Sequence, residues 1–222
     1  MAYTGKAIKP ALSVKAGGVS VPASGYTVKW SKNTKAGTAT VKVTGKGNYA
    51  GSAKTTFRIV APTVQYMGHI QTTGDEKSWE KNGRMSGTTG KCKRLEALRI
   101  KLSGGCPVSG GIRYKAKVQG TGWDDWKQDG DLTGTRRQWK RLEVVRIELT
   151  GNMRRAYDVY YRVHVQHLGW LSWAKNGADA GTSGFKYRLE AIQVVLVPKG
   201  SKAPSATYKG VTQWVSRPFV KK

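Results

Sequence analysis

Short runs of alternating apolar and polar residues dominate this chain, and turns rich in glycine, asparagine and aspartate separate them. In one such run Tyr114, Ala116 and Val118 share a phase, and Lys115 and Lys117 lie between them. Alternation with period two places successive side chains on opposite faces of a β-strand. No segment shows a sustained apolar period of 3.6 residues, so we predict an all-β fold.

The same motifs return about every 47 residues from position 64 onward. Each copy holds a leading tyrosine, a tryptophan, an Asn-Gly or Asp-Gly pair, a Gly-Thr pair and an Arg-Leu-Glu tripeptide. We predict three repeats, at about 64–104, 112–151 and 159–198, within a domain covering 62–222. One unit cannot bury its apolar face alone, so three copies should pack around a common axis. We expect a pseudo-threefold, β-prism-like domain, with a β-trefoil-like arrangement as the alternative.

The segment 206–214 carries one more trace of the period. Tyr208 and Gln213 lie 47 residues after Tyr161 and Gln166. We predict a partial fourth repeat strand that pairs with an open edge of the third repeat and protects it. A disordered remnant of a longer array is the alternative.

Residues 1–61 differ from the rest and are expected to form a separate small β-sandwich. Strand-like segments at 6–14, 26–32, 38–47 and 53–60 are separated by turn residues, and residues 1–60 hold ten basic residues and no acidic ones. The motifs Tyr3-Thr4-Gly5-Lys6 and Thr44-Gly45-Lys46-Gly47-Asn48-Tyr49 resemble the bacterial immunoglobulin-like spacer modules of Gram-positive surface proteins. The resemblance implies an immunoglobulin-like stalk.

The repeats themselves resemble the clostridial hydrophobic repeats with a recurring tryptophan. The segment VHVQHLGWLSWAKNGADAGTSGFKYRLEAIQV, in the third repeat, follows that pattern most closely. The resemblance implies a secreted or cell-surface protein of Gram-positive bacteria that attaches to a surface or a polysaccharide. We expect the export signal and the anchor to lie outside this sequence.

The glutamate of each tripeptide, at Glu96, Glu143 and Glu190, falls in the phase of the aliphatic residues that follow it. A buried carboxylate needs hydrogen-bond donors. The candidate donors are the Gly-Thr amides, the recurring tryptophans Trp79, Trp126 and Trp173, and the arginines Arg94, Arg141 and Arg188. Because the same glutamate with the same neighbours occurs in all three repeats, we interpret it as structural and not as a catalytic acid. We expect the recurring tryptophans to be structural core positions as well.

Residues that differ between copies are better candidates for ligand binding, because a shared scaffold does not require them. Trp123 and Trp170 occur in two copies of three, and exposed aromatic rings can stack on sugars while nearby polar groups bind hydroxyls. The candidate ligand-binding residues are Trp123, Asp124, Asp125, Gln128, His167 and Trp170. The outward phase of the first strands gives a candidate basic face of Arg113, Lys115, Lys117, Arg162 and His164.

Charge sets the expected partner. The chain has 39 Lys and Arg residues against 13 Asp and Glu residues, a formal net charge of +26, and this excess suits an acidic polymer. We expect a non-catalytic surface module for adhesion or glycan binding, favouring acidic polysaccharides, glycoprotein glycans or bacterial cell-wall polymers. Nonspecific nucleic-acid binding through charge, and a structural role in the wall or in protein assembly, are the alternatives.

Other chemistry finds little support in the sequence. No Ser-His-Asp grouping, phosphate-binding glycine loop or zinc spacing is present, so we expect no enzyme activity, cofactor or metal. No apolar run reaches the length of a membrane span, so we expect no membrane insertion. Cys92 and Cys106 either close a short loop or remain buried free thiols.

Overall fold

A computed structural model describes all 222 residues, which form two compact units, Met1–Ala61 and Pro62–Lys222. Nearly all regular structure is β-strand, which confirms the all-β prediction. The one α-helix, α1 (Gly151–Ala156), is six residues long. The chain forms no helix with the length and apolar character needed to span a bilayer.

The first unit is built on one antiparallel sheet of three strands. Its elements are β1 (Lys15–Ala16), β2 (Val19–Ser20), a 3-10 turn (Ala23–Gly25), β3 (Tyr26–Ser31), β4 (Gly37–Gly45) and β5 (Ser52–Ile59). The sheet order is β3-β4-β5, and β1 pairs only with β2. The predicted strand at 6–14 is wrong, because Ile8 is held by two hydrogen bonds to Asn33 and Pro10 has no N–H for a ladder. The immunoglobulin-like character of this unit stays a prediction.

The second unit contains the repeats and the carboxy-terminal segment. Its strands are β6 (Thr63–Ile70), β7 (Gly74–Asp75), β8 (Glu80–Lys81), β9 (Ser86–Gly87), β10 (Leu95–Ser103), β11 (Ile112–Val118), β12 (Gly122–Trp123), β13 (Lys127–Gln128), β14 (Thr133–Gly134), β15 (Leu142–Leu149), β16 (Tyr157–Val165), β17 (Gly169–Trp170), β18 (Ala174–Lys175), β19 (Ala180–Ser183), β20 (Leu189–Pro198), β21 (Thr207–Tyr208), β22 (Val211–Thr212) and β23 (Phe219–Lys221).

Each repeat contributes two long antiparallel strands to a sheet of its own. The central pairs are β6 with β10, β11 with β15, and β16 with β20. Two short strands of the same repeat fold back onto the first long strand in every case. The two long strands are what the alternating segments of the repeat predict, and the short strands are additional.

A short strand from a neighbouring repeat completes each sheet. Strand β14 of the second repeat pairs with β10 of the first, β19 of the third pairs with β15 of the second, and β9 of the first pairs with β20 of the third. The exchange is cyclic, because every repeat gives one strand and receives one. The three repeats therefore form a closed ring.

The Asn-Gly and Asp-Gly turns add a second bond at each junction between repeats. All six residues have positive φ, as a tight turn of this composition requires. The glycine N–H of each turn donates to the last long strand of the neighbouring repeat. These bonds join Gly83 to the carbonyl of Val194 (2.8 Å), Gly130 to that of Ile100 (2.7 Å), and Gly177 to that of Ile147 (2.8 Å).

One apolar cluster fills the space between the three sheets. It combines buried Val, Leu, Ile and Tyr side chains from all three repeats. The leading tyrosines Tyr66, Tyr114 and Tyr161 are fully buried, and each donates its hydroxyl to the backbone carbonyl that follows the Gly of its own turn. The choice between a prism and a trefoil arrangement stays a prediction.

A β-bulge lies at the glutamate of every Arg-Leu-Glu tripeptide. In the second repeat Val118 pairs with Leu142 and Lys117 pairs with Val144, so Glu143 is the extra residue. Leu142 and Val145 consequently both join the core although they are three positions apart. The expectation that the glutamates share the inward phase is therefore wrong, because it assumed an unbroken strand. Their expected burial is confirmed for Glu96 and Glu190, which are 3% and 5% exposed.

The bulge glutamates are held by the arginine two positions earlier in the chain. The shortest nitrogen–oxygen distances are 2.8 Å for Arg94 with Glu96, 2.7 Å for Arg141 with Glu143 and 2.7 Å for Arg188 with Glu190. The threonine amides of two Gly-Thr pairs, Thr88 and Thr135, donate to the backbone carbonyls of bulge glutamates and not to their carboxylates. The amide of Thr135, for example, donates to the carbonyl oxygen of Glu96 at 2.8 Å.

The carboxy-terminal segment does cover a sheet edge, but with a different strand from the one expected. Strand β23 pairs in parallel with β19, at the edge of the second sheet. The predicted strand at 206–214 instead forms a separate two-residue hairpin, β21 with β22. The spacing of Tyr208 thus shows that this segment is similar to a repeat, but it does not predict which strand the segment pairs with.

Gly134→Ala tests the strand exchange. Gly134 has φ +89°, and a Cβ there would lie 2.4 Å from the carbonyl oxygen of Glu96 in the neighbouring repeat. We expect a loss of at least about 3 kcal/mol in the free energy of unfolding, measured by urea denaturation. Gly120→Ala is the control, because Gly120 has φ +74° with no atom near the added carbon, and it should cost only about 1 kcal/mol. Equal losses for the two variants would contradict the close approach.

Candidate functional site

The recurring tryptophans lie on the outer faces of the sheets and not in the core, contrary to expectation. None belongs to the apolar cluster, and Trp126 is 36% exposed. Each ring instead has a basic group over it. The distances to the ring centre are 4.1 Å for Lys101 over Trp79, 4.7 Å for Arg113 over Trp126 and 4.5 Å for Arg162 over Trp173. Side chains of the long strands fill the core, so these rings remain on the outer faces, where they form cation–π contacts.

The outer face of the second repeat combines two tryptophans with three basic residues. The Lys115 ammonium lies 4.9 Å from the centre of the Trp123 ring and 5.0 Å from that of Trp126. The Arg146 guanidinium lies 4.4 Å from Trp123, and Arg113 lies over Trp126. We call these five residues the second-repeat face. Aromatic and cationic groups alternate across it.

The three cations of the second-repeat face differ in how far they are neutralised. Arg113 pairs with Glu148, and Arg146 pairs with Asp179. The hydrogen bond that Arg146 donates to the Asp179 carboxylate raises the pKa of Arg146. Lys115 forms no ion pair. Its ammonium between the two rings is the charge that an incoming anion would meet.

Asp124, a predicted ligand residue, is used inside the fold. Its Oδ1 accepts the Ala116 amide at 2.7 Å, and its Oδ2 accepts the Gly134 amide at 2.9 Å and the Thr133 hydroxyl. The carboxylate thus ties the exchanged strand β14 to β11. Asp124 therefore belongs to the scaffold under the second-repeat face, which corrects its place among the ligand candidates.

The first repeat uses the same device with a longer side chain. Glu76 accepts hydrogen bonds from the Gly68 amide at 3.0 Å, the Ser86 hydroxyl at 2.6 Å and the Gly87 amide at 2.7 Å. Glu76 and Ser86 stand at the positions that Asp124 and Thr133 occupy in the second repeat. A carboxylate with a matched hydroxyl is thus a repeated junction element.

The third repeat replaces both partners by buried apolar residues, Leu171 and Ala180. One of the amides that lose this acceptor is that of Gly181, and it donates to the carbonyl oxygen of Pro218 at 3.0 Å. The carboxy-terminal segment therefore supplies the acceptor that a carboxylate supplies in the other repeats. This part of the segment belongs to the fold.

The equivalent face of the third repeat is covered. Trp170, predicted as an exposed platform, is only 5% exposed, and its carbonyl accepts the amides of Trp214 and Val215 at 2.7 and 3.2 Å. Trp173 donates its ring N–H to the carbonyl of Ser205 at 3.2 Å. The carboxy-terminal segment lies over both rings, so Trp170 is not available as an open platform.

The carboxy-terminal segment also divides the candidate basic face into an open and a buried part. Arg113, Lys115 and Lys117 lie on the outer side of β11, but Arg162 is fully buried. Burial lowers the pKa of Arg162 to about 10. His164 is partly buried beside Glu190, at 3.0 Å between Nδ1 and Oε2, and burial lowers its pKa as well. The prediction that these two residues form an open basic face is wrong.

The remaining candidates do not converge on one site. Asp125 and Gln128 are exposed beside Trp126. His167 is exposed in the third repeat, with its ring centre 5.0 Å from that of Tyr187, and lines a cleft of about 270 Å³ together with Trp214. The six predicted ligand residues thus do not form one site. Trp123, Asp125 and Gln128 remain accessible in the second repeat, whereas Asp124 is used inside the fold, Trp170 is covered and His167 is exposed in the third repeat.

The first repeat does not offer a pair of rings. Asp75 stands where the other copies have a second tryptophan, and it forms ion pairs with His69 and Arg136. Met67 stands at the position of Lys115. Only the second repeat therefore presents two tryptophans and a free cation on an open face.

Arg146 also belongs to this face, although it is not among the residues predicted from the sequence. Arg146 is the cross-strand partner of Lys115 in the β11–β15 ladder. Its outward phase on the last strand could have identified it, had the two strands been paired by their apolar residues. Cys92 and Cys106 are both free and exposed, so both alternatives predicted for them, a closed loop and buried thiols, are wrong.

These features define a three-repeat, all-β protein whose repeats are joined by strand exchange. The family model described as Clostridial hydrophobic W matches residues 69–104, 117–151 and 164–198. The chain therefore carries three Clostridial hydrophobic W repeats within residues 69–198, as the resemblance of the repeats predicted. Searches of curated proteins and of solved structures found no match.

Asp124→Asn tests the structural role of the carboxylate. An amide would present a donor to groups that are themselves donors, so we expect a loss of about 2 kcal/mol in the free energy of unfolding, measured by urea denaturation. Asp125→Asn is the matched control, because the neighbouring Asp125 is exposed, and its stability should stay within about 0.5 kcal/mol of the wild type. A stable Asp124→Asn variant would return Asp124 to the list of free ligand candidates.

Proposed function

We propose that this protein is a non-catalytic binding module that attaches to acidic polysaccharide at a bacterial surface through the second-repeat face. The observation that carries the proposal is the position of the free Lys115 ammonium between Trp123 and Trp126. A sugar ring can pack against an exposed indole while a carboxylate or sulfate group meets the ammonium. Aromatic and ionic contacts would then act on the same ligand residue.

The proposal extends to location and architecture. We place the protein outside the cell or on the cell surface, where polysaccharides, glycoprotein glycans and wall polymers are accessible. The first unit, which has ten basic residues among residues 1–60 and no acidic ones, serves as the stalk. The module requires no cofactor and carries out no reaction.

Protein assembly is a second candidate function, and one observation favours it. The outer face of the third repeat is already occupied by polypeptide, since residues 205–215 lie over Trp173 and Trp170. A face of this kind can therefore accept an extended chain. Nonspecific nucleic-acid binding remains a further alternative, because it needs only the net charge of +26.

Trp126→Ala tests the proposed glycan site. We expect the affinity for a sulfated or uronate-containing polysaccharide to fall about ten-fold, measured by isothermal titration calorimetry in 0.15 M salt. Trp139→Ala is the control, because Trp139 is 75% exposed and lies outside the second-repeat face. Its affinity should not change.

The salt dependence separates the alternatives. Stacking recognition should survive at about 0.3 M salt, whereas attraction by bulk charge should largely disappear and should be equal for polysaccharide and DNA. Equal losses for Trp126→Ala and Trp139→Ala, or equal binding of all polyanions, would contradict a specific site.

A further inference from the structure

Arg162 is a buried cation without an anionic partner. Its side chain is fully buried, and all its hydrogen-bond partners are neutral. Nε donates to the side-chain oxygen of Gln193 at 2.7 Å, and the terminal nitrogens donate to the carbonyls of Ala206 at 2.8 Å and Val211 at 2.9 Å. Burying a guanidinium among neutral groups is costly, and a carboxylate or sulfate would satisfy it better.

Arg162 stands at the position of Lys115 in the second repeat, and its surroundings match those of Lys115. The Arg162 guanidinium lies 5.3 Å from the centre of the Trp170 ring and 4.5 Å from that of Trp173. Lys115 has the same relation to Trp123 and Trp126. The third repeat therefore contains a second copy of the two-ring arrangement around a cation, with polypeptide carbonyls where the second repeat is open.

Apart from its bonds to Arg162, the polypeptide over this residue contacts the Trp173 side chain and the Gly83 turn, against which the Tyr208 ring lies. Residues 205–212, which we call the cover, hold only the two-residue strands β21 and β22, and most of them are exposed. The Tyr208 ring packs edge-on against Trp173, with 5.6 Å between ring centres. The Ser205 carbonyl accepts the Trp173 ring N–H. A segment with so little buried apolar area has a low free energy of local opening.

The chain on both sides of the cover is anchored independently. Before it, the fully buried carboxylate of Asp158 binds the Lys199 ammonium at 2.8 Å and the Gly200 amide at 2.9 Å. After it, Trp214 and Val215 bond to Trp170, and β23 pairs with β19. The cover is thus a loop that can open while both of its ends remain in place.

We propose that the third repeat holds a second, masked site for an acidic saccharide, and that the ligand binds Arg162 and Trp173 by displacing the cover. This inference rests on the proposed function. A carboxylate or sulfate bound by the guanidinium replaces carbonyl acceptors with charge-assisted, bidentate hydrogen bonds. The gain in binding energy over the carbonyls drives the opening, because a ligand shifts an equilibrium only by its preference for one state.

The experiment uses the full chain and two probes, a sulfated oligosaccharide and a uronate oligosaccharide. Calorimetry gives the number of sites per chain, and hydrogen exchange reports the protection of the amides in the cover. We expect two sites in the wild type and faster exchange in residues 205–212 at saturation. Trp126→Ala should keep one site with the same opening. Arg162→Met, which removes the charge and places at this position the residue type that the first repeat has as Met67, should lose the masked site and any ligand-dependent change in exchange.

Tyr208→Ala provides a test that does not depend on Arg162. Loss of the Tyr208–Trp173 contact should loosen the cover and raise the affinity of the masked site about five-fold. The thermal midpoint should change little, since β23 and the junction at Gly181 remain intact. Unchanged affinity in this variant would contradict the proposal that the cover masks the site.

The outcomes separate this inference from the proposed function. One site that disappears in Trp126→Ala, with residues 205–212 protected throughout, would overturn the masked site and leave the second-repeat face standing. Two sites without faster exchange would overturn the displacement of the cover. No binding of either probe to the wild type would overturn both.

Discussion

The architecture depends on how closely one backbone approaches another at the junctions between repeats. At each junction a glycine with positive φ lies against the carbonyl of a bulge glutamate, and a Cβ on Gly87, Gly134 or Gly181 would come within 2.2 to 2.4 Å of that oxygen. Only glycine fits, and its amide is bound either by a carboxylate or, in the third repeat, by the Pro218 carbonyl. From this contact follow the completion of each sheet, the closure of the ring and the single shared core. The bulge and its Arg-Glu pair hold the receiving strand in the shape that the contact requires.

Local features could be predicted from the sequence, whereas features that depend on distant partners could not. The strand faces, the period and the positive φ of the turns follow from neighbouring residues such as Asn82 and Gly83. The bulge at Glu143 does not, because alternation in a single strand cannot show that its partner is one residue shorter. Trp170 and Arg162 were assigned to open surfaces because their cover comes from residues more than 30 positions later in the chain. The sequence around Asp124 does not show that its carboxylate is used inside the fold, because the groups that donate to it lie on two other strands.

The three outer faces show how one scaffold carries different surfaces. The position of Lys115 is occupied by Met67 in the first repeat and by Arg162 in the third, and the second tryptophan is absent from the first. The scaffold tolerates these changes because outward side chains of the long strands do not contribute to the common core. Variation between copies is therefore concentrated on the outer faces, where the proposed site lies. It did not show which copies are open, since that depends on the segment that lies over them.

Cyclic exchange also sets the number of repeats in a body. Each repeat must receive a short strand from one neighbour and give a short strand to the other. With three sheets around one core, every exchanged strand is already paired. A fourth repeat would find no unpaired sheet edge within the ring. This agrees with the repeat-like residues around Tyr208, which form a separate hairpin and pair with none of the three sheets. A gene that gained such units one at a time would produce a new folded body only at every third addition. Growth by triplication, and not by gradual extension as in a solenoid, is the history this geometry favours.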